Sequence, residues 1–334
     1  MLPTVNIAML GASGVGKTSF MARLYSRLQE AVCELSIRAT KSTVHDELKQ
    51  LGDAVAHGRF PPGTAFRTDY EFMLLLRGET ALRFHWHDYF GQALDRVDTD
   101  TQTHALLRDL DTMDALLMFC DADDLRKGRP GIANILAAMS LANAALSATA
   151  RAISVVIVLT KADLIDAWSV SMLRPLEGLM AGVAAKASLK GAIVPVSCTD
   201  AALDVALPLL FVLRCAAKRH VSEQKDAEAT ADKQSEYWRE KSRGFWGFLR
   251  AIDDTLSGLP TDAEMAQRCS ARAEESRLLR VALEPSAAAL TRATSRVVRL
   301  KKELTAADYA ALLGGVTGIA ATHNPSTKTR GVWR

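Results

Sequence analysis

Short apolar runs separated by longer stretches of helical spacing organise the first two thirds of the chain. Runs near 5–10, 69–77, 80–87, 114–120, 152–159 and 191–196 predict strands, and stretches near 17–30, 101–112, 131–149, 169–186 and 200–216 predict helices. Strand and helix alternating in this way imply an α/β fold, a mostly parallel sheet covered on both faces. One antiparallel strand is expected from a hairpin at 69–87, turned at Gly78-Glu79. Residues 41–63 read as an insertion before that hairpin, a helix from Val44 to His57 followed by Gly58-Arg59-Phe60-Pro61-Pro62-Gly63.

Beyond Cys215 the pattern turns to charged helix, with Ser222 to Arg243 rich in Glu, Lys, Gln and Ala. The aromatic cluster Phe245-Trp246-Gly247-Phe248 follows, and Ser257-Gly258-Leu259-Pro260 breaks the chain. Two further helices are predicted at 261–284 and 286–303, then a short one from Ala306. The expected organisation is a core domain at 1–216, a helical C-terminal module at 217–322 and a polar tail at 323–334.

The segment Gly11-Ala12-Ser13-Gly14-Val15-Gly16-Lys17-Thr18 sits between the first predicted strand and the first predicted helix. It is a G-x-x-x-x-G-K-[ST] phosphate loop in its required context. Gly11, Gly14 and Gly16 let the backbone curl so that N–H groups along Ser13 to Ser19 face phosphate oxygens. Lys17 adds positive charge, and the Thr18 hydroxyl suits Mg²⁺. A nucleoside triphosphate is therefore the expected ligand.

Three later segments bear on which base is bound. Asp88-Tyr89-Phe90-Gly91 ends the hairpin as a D-x-x-G, Thr160-Lys161-Ala162-Asp163 ends the run from Ile153, and Ser197-Cys198 follows Ile193-Val194-Pro195-Val196. Each lies at the C-terminal end of a predicted strand, where parallel sheets bind ligands. In this order, and over residues 5 to 215, the chain resembles the Ras-like P-loop GTPases. The Phe60-Pro61-Pro62-Gly63-Thr64 and Trp86-His87-Asp88-Tyr89-Phe90-Gly91 stretches further resemble bacterial GTPases of the double-GTPase type, often placed in conflict or defence systems.

That resemblance implies a role for each segment. Asp88 would hold Mg²⁺ through water, and Gly91 would sense the γ-phosphate. Asp163 would accept from guanine N1 and N2, the stem of Lys161 would lie along the ring, and Thr160 replaces the asparagine of the N-K-x-D motif. Ser197-Cys198 would meet guanine O6 through a backbone N–H. Residues 41–63 correspond to switch I. Thr64, with Thr68 as its rival, would join the Mg²⁺ shell when the γ-phosphate is present. Gln92, directly after Gly91, would orient the attacking water, so the expected catalytic residues are Lys17, Thr64 and Gln92. Ser13 departs from the Ras glycine and would crowd an arginine supplied by another protein. Only one set of these motifs is present, so any second GTPase domain would lie on another chain.

The resemblance thus implies a Mg²⁺-dependent GTPase, cycling slowly between GTP and GDP and switching loops 41–68 and 88–103 for a partner protein. A P-loop phosphotransferase would share Gly11 to Thr18 without needing the later loops. A scaffold that keeps GTP without hydrolysing it is the third alternative.

Charge adds little. The net +3 divides into 21 basic against 23 acidic residues at 1–216 and 20 against 15 at 217–334, a surplus too small to imply nucleic-acid binding. Five scattered cysteines without C-x-x-C spacing suggest neither a zinc site nor a disulfide framework and fit a reducing cytoplasm. Residues 1–10 do not read as a signal sequence, and no apolar run approaches 18 residues. His85 and His87 flank Trp86 on one strand face and read as packing or hydrogen-bonding residues, since no third metal ligand is near. Trp238, Phe245, Trp246 and Phe248, set among basic residues, are candidate anchors against the core, a protein partner or a membrane surface.

Overall fold

A computed structural model describes residues 3–62, 68–88, 112–128, 131–200, 203–243, 250–251, 259–301 and 308 of the chain. The elements in chain order are β1 (Thr4–Leu10), α1 (Lys17–Arg27), β2 (Leu35–Ala39), α2 (Ser42–Ala56), β3 (Thr68–Leu76), β4 (Glu79–Asp88) and β5 (Ala115–Asp121). Then come α3 (Ala122–Lys127), α4 (Ile132–Ala148), β6 (Ile153–Thr160), α5 (Glu177–Ala185), β7 (Leu189–Pro195), α6 (Leu207–Ser242), α7 (Asp262–Ala293) and β8 (Val298–Arg299). Residues 101–111 of the expected helix at 101–112, the aromatics Phe245, Trp246 and Phe248, and the tail from His323 lie outside the described residues.

The strands form one sheet in the order β2-β3-β4-β1-β5-β6-β7-β8. Its centre, β4-β1-β5-β6-β7, is parallel, and the β3–β4 hairpin supplies the expected antiparallel strand. Two edge strands were not expected. β2 pairs antiparallel with β3, and the two-residue β8 pairs antiparallel with β7. From β1 the chain crosses to the edge strand β2 and returns inward through β3 to β4 beside β1, then runs outward through β5, β6 and β7 on the other side. The end of β1 is therefore the point where the winding reverses, and in open α/β sheets the crevice at that point holds the ligand.

Strand alternation builds two cores. Val5, Ile7 and Met9 of β1 pack with Phe20 and Leu24 of α1 and Leu210 and Leu213 of α6, whereas Ala8 and Leu10 face Met139 and Ala142 of α4 and Leu179 of α5. Every residue of β5 and β6 is buried, as expected for central strands covered on both faces.

Three helical expectations change. The predicted 169–186 helix begins as a 3₁₀ turn, Val170–Leu176, before α5, with Pro175 at the junction. The separate helices at 200–216 and 222–243 are one helix, α6, so the expected boundary at 216 falls inside it. The pair predicted at 261–284 and 286–303 is likewise one helix, α7, running through Pro285 and ending at Ala293, after which Val298–Arg299 is a strand.

Packing explains both fusions. The N-terminal half of α6 and the C-terminal end of α7, with Leu283, Ala287 and Leu290, share the core beneath the sheet. Their other ends pair with each other through small residues: Ala231, Ser235, Ala266, Ala273 and Ser276 are buried, and Ser235 Oγ lies 2.7 Å from Ser270 Oγ. Arg280 closes the seam with an ion pair to Glu228 at 2.9 Å. A proline missing one helical hydrogen bond is tolerated where a long partner helix holds the chain. A Thr261–Glu264 capping box starts α7.

Candidate functional site

The phosphate loop leaves β1 at the sheet's centre and enters α1 at Lys17. Gly16 has φ +94°, a left-handed conformation that glycine adopts without a Cβ clash. Gly11 is required by proximity, because a Cβ there would lie 2.9 Å from Phe119 Cβ on β5. Lys17 is buried, and its Nζ donates to the carbonyls of Gly11 at 2.8 Å and Ala12 at 3.3 Å. The ammonium is thus held under the curl of the loop. Thr18 and Ser19 follow on the first turn of α1, and Ser13 and Gly14 are exposed at the rim.

The register of the sheet brings the other segments to the same edge. Met9 pairs with Asp88, so the end of β4 lies beside the start of the phosphate loop. Asp121 pairs with Thr160, and Leu159 with Pro195. The buried Thr160 hydroxyl donates to the Val15 carbonyl at 2.8 Å, with the Cys120 carbonyl at 3.2 Å as the competing acceptor. A single side chain therefore joins the phosphate loop to the Thr160–Asp163 turn. The Ala162 N–H donates to the Val196 carbonyl and the Val196 N–H to the Leu159 carbonyl, docking the third segment against the second.

Asp163 is exposed, and its Oδ2 accepts from the Thr199 hydroxyl at 3.3 Å. Ser197 is buried and acts within its own loop, its Oγ accepting from the N–H groups of Thr199 and Asp200 at 3.1 and 2.9 Å. Its side chain sets the turn that carries the Cys198 N–H. Burial, reinforced by the charge of Asp163, pushes the Cys198 thiol up to about 12. The half-buried thiol packs against the core in its neutral form.

Asp121 was missed in the sequence. Lys161 has φ +54°, rare for a residue with a Cβ, and its Nζ donates to Asp121 Oδ2 at 2.5 Å. The other oxygen of Asp121 accepts from the Asp123 and Asp124 N–H groups, capping α3. Nearby, burial first and the charge of Asp121 second raise the Asp124 carboxyl above the usual range. The Asp121-Ala-Asp-Asp run at a strand end is the signal that marks an N-cap here. A non-glycine residue held in a left-handed conformation is a strained feature of the kind that collects at ligand sites.

Gly91, Gln92 and Thr64 lie outside the described residues, and for Thr68 and Asp88 only the backbone position is described. His85 and His87 meet carboxylates across the hairpin, His87 Nδ1 lying 2.8 Å from Asp69 and His85 Nε2 3.3 Å from Glu71. Among the described residues no cluster of His, Cys, Asp and Glu is built to hold a metal, and no helix is long and apolar enough to cross a membrane.

Comparison with known proteins agrees with this geometry over the first half of the chain. Residues 8–170 match the family model described as Double-GTPase 1. No curated protein matches. Among solved structures, the S. cerevisiae Ski7 GTPase-like domain bound to GTP is 17% identical with a TM-score of 0.37, and the same domain with GDP and inorganic phosphate is 16% identical with a TM-score of 0.35. Each alignment covers 59% of this chain but 43% of the Ski7 chain, so this protein spans under half the length of those structures. The phosphate loop and the Thr160–Asp163 turn both fall inside the segment that is similar to Double-GTPase 1, and that match supports a P-loop GTPase domain there.

Proposed function

We propose that this protein binds GTP with Mg²⁺ at the C-terminal ends of β1, β6 and β7, hydrolyses it slowly to GDP and phosphate, and switches a partner protein in the cytoplasm. The observation that carries the reading is the Thr160 hydroxyl on the Val15 carbonyl, which couples the base-reading turn to the phosphate loop. Lys17 and the loop N–H groups neutralise the phosphates, and Asp163 accepts from the guanine edge while the Lys161 stem, braced by Asp121, lies on the ring.

Oxygen donors suit Mg²⁺, and Thr18 on the first turn of α1 and Asp88, whose backbone pairs with Met9 just before the phosphate loop, would hold it, joined by Thr64. Bound there, the ion would supply charge neutralisation to the phosphates. Gly91 would report the γ-phosphate and Gln92 would orient water. The partner is a protein, reached through the switch loops and the helices from 217 to 322, in a bacterial defence or conflict system as the resemblance implies.

Asp163→Asn tests the base assignment. Hydrogen bonds to a charged acceptor contribute about 1.5–3 kcal/mol each, so losing two should weaken GTP a hundredfold or more while admitting xanthosine triphosphate. Unchanged GTP affinity refutes the assignment. In single-turnover assays Gln92→Leu should bind GTP normally and hydrolyse it more slowly, whereas Lys17→Ala should fail to bind. Wild-type hydrolysis by Gln92→Leu would move the water-orienting role elsewhere.

A further inference from the structure

At the opposite pole of the sheet, a cleft of about 570 Å³ opens between the N-terminal ends of β6 and β7, α6 and β8. Strands of seven and eight residues separate it from the nucleotide site by roughly 25 Å. Its lining includes six basic side chains and no acidic one.

Three of the six are already engaged. Lys186 Nζ donates to the carbonyls of Leu146, Ser147 and Thr149, closing the end of α4. Lys190 Nζ donates to the Ala187 carbonyl, and Arg219 is paired with Asp114 at 2.5 Å and Glu223 at 3.6 Å.

The other three, Arg214, Lys218 and Arg299, have no carboxylate partner among the described residues. Arg214 is the telling one. It is 4% exposed, its guanidinium lies 4.6 Å above the Phe211 ring, and Nη1 donates to the Thr294 hydroxyl at 2.7 Å and carbonyl at 3.3 Å. Those acceptors at the end of α7 offer a partial negative charge of about half a unit. Buried arginines are almost always matched by a full one. Burial lowers its pKa, and the nearby positive charge of Arg299 adds to that.

We propose that this cleft binds a small phosphate-bearing organic anion, its phosphates between Arg214, Lys218 and Arg299 and its apolar part against Ala187 and Leu300. The volume falls within the range of small-molecule sites, and the fork of a guanidinium suits phosphate oxygens. Ser188 and Ser222 on the lining provide neutral donors.

Inorganic pyrophosphate, titrated calorimetrically without Mg²⁺ into the full-length protein, into Lys17→Ala and into Lys218→Glu/Arg299→Glu, tests the site independently of the nucleotide. Binding should persist in Lys17→Ala and weaken at least about tenfold, or 1.4 kcal/mol, in the double variant. Both replaced residues are exposed, so the variant should keep its fold, and a circular dichroism melt checks this. If the double variant melts early, Lys218→Ala and Arg299→Ala should each weaken binding instead. Absence of binding at millimolar pyrophosphate overturns the proposal. So does binding lost in Lys17→Ala but kept in the charge-reversed variant, which would locate the anion on the phosphate loop.

Discussion

Replacing Thr160 with valine removes one hydroxyl and almost nothing else. The hydroxyl has a single proton and two carbonyls in range, and Val15 at 2.8 Å outcompetes Cys120 at 3.2 Å. Thr160 is 3% exposed and Val15 5%, so water cannot replace the lost donor without opening the loop. Leaving a buried acceptor unsatisfied costs about 1–3 kcal/mol, more than the net worth of an average hydrogen bond. For a domain of 150–250 residues each kcal/mol lowers the melting midpoint by about 2–4 °C.

Nucleotide binding should suffer as well, because the phosphate loop must then be ordered by the ligand. If half to all of a 1.4 kcal/mol loss appears in binding, GTP affinity falls about three- to tenfold. Thermal unfolding without ligand and titration with a fluorescent GTP analogue measure the two effects separately. Thr160→Ser keeps the hydroxyl and should retain affinity within about twofold, its lost methyl showing as stability alone. A valine variant with wild-type midpoint and affinity refutes the tether. So does a serine variant that loses as much affinity as valine, since packing and not the hydrogen bond would then be responsible.

Three further outcomes follow from the packing. Gly52→Ala should destabilise by about 1–3 kcal/mol despite alanine's better helix propensity, because its Cβ would fall 2.3 Å from the Ala22 carbonyl oxygen and wedge α2 away from α1; an equal or higher urea midpoint would contradict this. Pro285→Ala should stabilise the α6–α7 pair by about 1–3 kcal/mol, since residue 285 is exposed and alanine restores the missing N–H donor; a lowered melting midpoint would show that the proline is needed there. The buried Cys120 thiol and the half-buried Cys198 thiol stand near 12 against an ordinary 9.0, so both states keep these protons below pH 9, while between pH 9 and 12 only the unfolded chain releases them. Stability should therefore fall as pH rises through that window, and Cys120→Ala/Cys198→Ala should flatten the slope between urea midpoints at about pH 8 and about pH 10.5.

What the sequence determined by itself is local. Six strands and the helices at α1, α2 and α4 were legible because alternation and helical spacing record which face of each element is buried, and the phosphate loop was legible because its glycines, lysine and threonine act within eight contiguous residues. The order of the strand-end motifs also placed Thr160, Asp163 and Ser197 at one edge, since a parallel sheet collects its strand ends. Tertiary structure decided the rest. β2, five residues long, and β8, only two, exist through pairing with β3 and β7 and have too few positions to show a period. The continuity of α6 and of α7 through Pro285 comes from each helix holding the other, against a local signal for a break. The roles of Asp121 beneath Lys161, of Thr160 on Val15 and of Arg214 in its cleft join residues 40, 145 and 80 positions apart, and no window of sequence contains the distance between them.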